Sequence, residues 1–147
     1  MKSTLTALLI LMMGSMPAWA ALGDNVSSVD SDAQVLRGQH RMVAKVGYNL
    51  HQITAADGSV VNEFVSPEGT VFGVSWQGHS VPNLQQLLGS HLADLQQGQR
   101  TQVVRRRAIT IQTDNFVFSS AGHSRYFRGR AYVPSLVPSN LTTEVVQ

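Results

Sequence analysis

The chain has 147 residues, 14% of them charged, with 11 Lys and Arg against 9 Asp and Glu, and it contains no cysteine. So even a balance gives nucleic acid no general electrostatic hold, and the missing thiols exclude a disulfide framework, a thiolate metal site and the acylated cysteine of a lipoprotein. The charge is unevenly placed, however: residues 21–99 hold three basic and seven acidic side chains, residues 100–147 seven arginines and two acids.

The first element is a leader. Lys2, the apolar run from Leu5 to Met13 and the small-x-small sequence Ala18-Trp19-Ala20 make residues 1–20 a signal peptide, cut between Ala20 and Ala21. The run is shorter than the roughly 20 apolar residues that cross a bilayer, and no second one follows. The mature product is therefore expected to be exported, periplasmic or extracellular, with no stable membrane span. Residues 21–147 are enough for a single domain with a real core.

Val26, Val29, Ala33 and Leu36 recur at spacings of three and four and predict a short N-terminal helix over 24–36, capped by Asp24 or Ser28 and stopped near Gly38. A three-stranded meander is expected next. Gly47 to Thr54, Ser59 to Ser66 and Thr70 to Gln77 are its strands, with Asp57-Gly58 and Ser66-Pro67-Glu68-Gly69 as turns. In the third strand, alternation puts Phe72, Val74 and Trp76 on one face and Val71, Gly73 and Ser75 on the other, where something should approach closely over Gly73.

The strongest periodicity runs from Asn83 to Gln97. Leu84, Leu87, Leu88, His91, Leu92 and Leu95 form one helical stripe, with Asn83 and Gln86 as a capping box and Gly98 as a stop. Burying its leucines at about 1.5–3 kcal/mol each should anchor the helix to the sheet. Strands return over Val103 to Thr113, Asn115 to Ser120 and Ser124 to Val133, with turns at Asp114-Asn115 and Ala121-Gly122-His123. Pro134 and Pro138 then end regular pairing, leaving an irregular tail from about 134. The fold class is α+β: an antiparallel sheet of five or six strands, with one amphipathic helix packed on it and a short N-terminal helix. One sheet and a partly closed barrel both fit this pattern.

Val65-Ser66-Pro67-Glu68-Gly69-Thr70-Val71-Phe72, Trp76-Gln77-Gly78, Leu84 with Leu87-Leu88-Gly89, and Gly129-Arg130-Ala131-Tyr132-Val133-Pro134-Ser135-Leu136 carry a resemblance. Over nearly all of the mature chain the sequence resembles the bacterial family catalogued as domain of unknown function 2844. The resemblance implies export from a Gram-negative cell and a single small domain. It implies no activity, substrate, cofactor or catalytic residue.

The residues themselves specify no reactive centre. Gly73-Val74-Ser75-Trp76-Gln77-Gly78 approximates a nucleophile elbow, but its second glycine is one place late and Ser75 falls within a strand. His40, His51, His79, His91 and His123 show no metal-ligand spacing, so a metal site would need the fold to gather them. His91 on the leucine stripe reads as a core or boundary residue and His123 as a turn residue. Glu63 and Glu68 flank a turn and are expected to be exposed, which argues against paired catalytic carboxylates.

The most distinctive surface pattern is basic and aromatic: Arg105 and Arg107, then Tyr126, Arg128, Arg130 and Tyr132 at alternate strand positions. Such a face suits acidic glycans, lipid head groups or a partner's carboxylates, or else a solvated surface whose arginines pair with Asp57, Glu63 and Glu68. The expected function is a non-enzymatic exported module that binds an envelope protein or another anionic ligand through these six residues, with no cofactor and no nucleic acid. The alternative is a small envelope hydrolase or metal-dependent enzyme using histidines brought together by the fold.

Overall fold

A computed structural model describes residues 22–101 and 108–147. The leader, the Ala20–Ala21 junction, Arg105 and Arg107 lie outside the described residues. In chain order the elements are α1 (Ser27–Val35), β1 (Gln39–Lys45), β2 (Tyr48–Thr54), β3 (Val60–Val65), β4 (Val71–Gly78), α2 (Leu84–Leu88), α3 (Leu92–Thr101), β5 (Ala108–Gln112), β6 (Val117–His123) and β7 (Tyr126–Tyr132). Short 3₁₀ turns cover Gly89–His91, Pro134–Leu136 and Thr143–Val145. Among the described residues no helix is long and apolar enough to cross a membrane.

The expected α+β class holds, and the strands form one antiparallel sheet of seven in the order β1-β2-β3-β4-β7-β6-β5. The meander β2-β3-β4 turns where the sequence places its turns: Asp57 Oδ1 accepts from the Ser59 amide at 2.9 Å, and the Gly69 amide donates to the Ser66 carbonyl at 2.9 Å. From β4 the chain crosses through α2 and α3 to the far edge, then returns through β5 and β6 to pair β7 with β4.

The additional strand is β1. Gln39-His40-Arg41-Met42-Val43-Ala44-Lys45 lacks apolar alternation because it is an edge strand, largely exposed on both faces and held by register pairing to β2 from Gln39↔Thr54 to Lys45↔Tyr48. Arg41 and Lys45 are the charges that discourage another strand from joining such an edge. Gly47 belongs to the turn between β1 and β2 rather than to a strand, and the β6–β7 turn falls at Ser124-Arg125, so Ala121-Gly122-His123 is strand.

The helices share one face of the sheet. Leu87, Leu88 and Leu95 are buried there with Val29, Ile53, Val61, Val74, Trp76, Ile111, Phe116 and Phe118. The leucine stripe is not one helix: the chain breaks at Gly89 into α2, a 3₁₀ turn and α3. Gly98, expected as a stop, is instead buried inside α3, where a Cβ would sit 2.5 Å from Ile111 Cγ2. Asn83 caps α2 through the amides of Gln85 and Gln86. Gln86 reaches away to Asp32 rather than back to Asn83, leaving the box half closed. At α1 the Asn25 side chain, rather than Asp24 or Ser28, accepts from the Ser27 amide at 3.0 Å.

Trp76 and Gly129 lie directly opposite each other in the β4–β7 pair. A Cβ at Gly129 would stand 2.2 Å from Trp76 Cζ2, so the absent side chain is what lets the indole lie across β7 and meet Phe118, ring centroids 5.7 Å apart.

The apolar part of the opposite face is covered by the irregular tail. Phe64, Phe72, Val117, Tyr132 and Val146 form a second core, joined by Tyr48, Leu50, Val137 and Leu141. Phe72 is on this face, not with Val74 and Trp76. The β3–β4 register shifts between Val65↔Val71 and Phe64↔Gly73, and the extra residue turns Phe72 over to the Gly73 side. The close approach expected over Gly73 is made by Val146, whose Cγ2 would be 2.7 Å from a Cβ at that position. Gly73→Ala should therefore destabilise the protein by about 1–3 kcal/mol through overpacking. Chemical denaturation of Gly73→Ala, Val146→Ala and the double variant checks this; the double variant should lose less than the sum, because trimming Val146 makes room for the new methyl.

Candidate functional site

The tail covers only part of its face, and the register shows why. Val43, Leu50, Phe64, Gly73, Tyr132 and Val117 stand side by side across six strands, and from Leu50 to Val117 this row lies in the apolar band beneath the tail. Two residues along each strand the composition changes. Arg41, Gln52, Asn62, Ser75, Arg130, Ser119 and Thr110 line up across all seven strands as a polar row. Beyond it Gln77, Arg128 and Ala121 form a further row on the same face.

Between the tail and this last row lies an open groove of about 520 Å³ whose lining includes Asn62, Ser75, Gln77, Ser119, Arg128 and Arg130. Its floor is ordered by a hydrogen-bond chain. Gln52 Nε2 donates to Asn62 Oδ1 at 3.1 Å, Asn62 Nδ2 to Ser75 Oγ at 3.3 Å, and Ser75 Oγ to the Gln147 main-chain oxygen at 2.6 Å. Arg130 Nη1 donates to the Val146 carbonyl at 3.1 Å, fixing its guanidinium against the tail. Arg128 is exposed at the groove. Both charged side chains of the lining are arginines, set beside the Gln147 main-chain oxygen that also borders the groove, so its side chains are rich in donors.

The sequence-derived face divides accordingly. Arg128 and Arg130 line the groove. Tyr126 stands at its end, 45% exposed, its hydroxyl donating to Gln77 Oε1 at 3.3 Å. Tyr132, at 9% exposure, belongs to the core under the tail and offers little surface. Asn62, Ser75, Gln77 and Ser119 were missed. Ser75 carried a weak signal, since its small side chain alternates with Val74 and Trp76, but the others read as ordinary polar strand positions. Ser75 is buried mid-strand with its hydroxyl spent on the tail, and among the described residues no histidine is bonded to it.

The profile of the family described as Protein of unknown function (DUF2844) matches residues 18–146. The chain belongs to that family. No curated protein and no solved structure matches it. For this DUF2844 member the side chains themselves must therefore carry the functional argument.

The histidines are only partly gathered. His40 and His51 stack with ring centroids 5.1 Å apart, His40 Nε2 and His51 Nδ1 are 2.9 Å apart, and His40 Nδ1 is 3.3 Å from Asp30 Oδ1. His91 pairs with Asp94 at 2.8 Å and stacks on Phe116. Among the described residues no group of three or more His, Cys, Asp or Glu is arranged to hold a metal ion. The ion pairs among the described residues are these His–Asp contacts, so the expected pairing of arginines with Asp57, Glu63 and Glu68 is not seen there.

Glu63 corrects the sequence reading most sharply. It points to the helix face beneath α1, beside His51 in the sheet register, and is 1% exposed. Neither of its carboxylate oxygens, nor Oδ2 of neighbouring Asp32, meets a donor; Asp32 Oδ1 accepts from Gln86. Two ionised carboxylates can only accept, so the pair needs a proton of its own. Burial, then the adjacent Asp32 carboxyl, raises Glu63 well above the ordinary carboxylate range. Burial raises Asp32 too, against hydrogen bonds from Glu63 and Gln86. Burial, and secondarily His40, lowers His51.

Because the folded pair holds protons that the unfolded chain has released, its contribution to stability declines as pH rises from the unfolded range of 3.8–4.5 through the raised folded values. His51 acts at the other side, weakening the fold as pH drops below its unfolded value of 6.5. Glu63→Gln supplies a permanent donor to Asp32 and should increase stability at pH 7 by about 1–3 kcal/mol. Denaturation curves from pH 4 to 8 check it: the variant should lose much less stability than the parent as pH rises.

Proposed function

We propose that the mature chain is exported and works as a non-enzymatic binding module, with the Arg128–Arg130 groove as its recognition surface and an anionic envelope component as its ligand. The observation that carries this reading is the pairing of two arginines with hydrogen-bonding side chains in an open groove whose described lining contains no acidic side chain. Guanidinium groups bind carboxylate or phosphate through paired donors, and their charge speeds encounter with an anionic partner. The leader-like residues 1–20 support an envelope location.

A small hydrolase or metal-dependent enzyme draws less support. The His40–His51 pair would be its natural centre, yet neither histidine lines the groove or the second cavity, which lies among Leu36, Ala55, Val60, Trp76 and Pro82.

Arg128→Ala/Arg130→Ala should weaken ligand capture about tenfold or more for each charge-assisted bond lost. The test is retention of envelope components by the tagged mature protein at low and high salt, with a thermal melt showing that the variant still folds. The parent should retain an anionic component in a salt-sensitive way, and the variant should lose it. Identical retention by both proteins would rule out the groove.

A further inference from the structure

The groove lies on the face of β3, β4, β7 and β6, all interior strands whose main-chain donors and acceptors are engaged with neighbouring strands. A ligand resting there is therefore held by side chains. This disfavours an extended peptide, which gains most of its affinity by adding to a free sheet edge and its specificity from side-chain pockets. The floor offers no such pocket: Ser75, Ser119 and Ala121 are small, and Asn62 and Gln77 are amides.

The available groups are of a particular kind. Asn62, Gln77 and Ser119 each can both donate and accept, as sugar hydroxyls do, whereas a phosphate head group accepts only and is best met by donors alone. Arg128 and Arg130 supply two positive charges from one face of one strand, their Cα atoms about 7 Å apart at two residues' separation. Across the strands, Asn62, Ser75, Arg130 and Ser119 stand in successive register pairs, roughly 4.8 Å from one strand to the next. The groove thus repeats its polar contacts along a line, as a linear polymer would require. Tyr126 at one end holds its ring partly exposed, with its hydroxyl tied to Gln77, so a ring face is available for a sugar to rest on.

Resting on the anionic-groove reading above, we propose that the ligand is a linear acidic polysaccharide, bearing carboxylates on its sugars and lying across β3, β4, β7 and β6 beside the tail. Carboxylates meet Arg128 and the free edge of Arg130, while ring hydroxyls exchange hydrogen bonds with Asn62, Gln77 and Ser119. Recognition involves no covalent step.

Calorimetric titration of the mature protein against defined probes tests this: oligogalacturonates of two, four and six units, a neutral hexasaccharide, a glutamate hexapeptide, and phosphatidylglycerol vesicles. Oligogalacturonate affinity should rise from the dimer to the tetramer as the ligand spans the groove, and the neutral sugar should bind at least about tenfold more weakly. Arg128→Ala should cost about tenfold, and Asn62→Ala should lower affinity for the uronate several-fold with the melting profile showing a folded protein. Arg128-dependent binding of the peptide or vesicles with no uronate binding would overturn the polysaccharide assignment while leaving the anionic groove standing. Failure to bind any anionic probe, or uronate binding that Arg128→Ala leaves unchanged, would overturn both.

Discussion

The contact on which the architecture turns is Trp76 lying across Gly129. It is where β4 meets β7, and that seam converts a meander and a separate three-stranded return into one sheet. The indole reaches Phe118 over a residue with no side chain, tying β4, β7 and β6 into the helix-side core. Because strand side chains alternate, seating Gly129 beneath the indole turns both its neighbours, Arg128 and Arg130, to the opposite face. The packing of one aromatic residue thereby sets the orientation of the groove's two charges.

The tail supplies the other half of that arrangement. The bulge in β4 delivers Phe72 to Phe64 and Tyr132, and Val146 closes over them against Gly73. The apolar part of the face is thus sealed, while the adjoining polar row stays open with the tail as one wall. The Val146 and Gln147 main-chain oxygens are met by Arg130 and Ser75, so the wall is fastened to the floor it borders. The same residues hold the fold and shape the surface.

On the helix face the energetics run differently. Asp32 and Glu63 are buried between α1 and β3 without enough donors, a poor arrangement for two anions and a tolerable one for a pair sharing a proton. The surrounding valines, leucines and aromatics supply the stability that offsets it. The carboxyl pair and His51 leave the region under α1 responsive to pH from two directions, on the face of the sheet away from the groove.

Much of the local structure was legible in the residues. Asp57-Gly58 and Ser66–Gly69 marked the meander's turns, the leucine spacing marked a helical segment, Gly73 marked a close approach, and alternation in β7 put Tyr126, Arg128, Arg130 and Tyr132 on one side. These follow from turn chemistry and side-chain periodicity, which act over a few residues. What alternation cannot state is which side faces water or which strand lies alongside. Tertiary packing decided that Tyr132 is covered and Arg128 is not, that Glu63 is buried, that Gly98 receives Ile111, and that polar residues from seven separated strands form one row. It also decided β1, whose exposed residues carry no periodic mark and whose place comes from pairing with β2. Local sequence set the conformations; register between distant strands assembled the groove, because that register buries Trp76 on one face and Phe72 with Val146 on the other and is not encoded by any one segment.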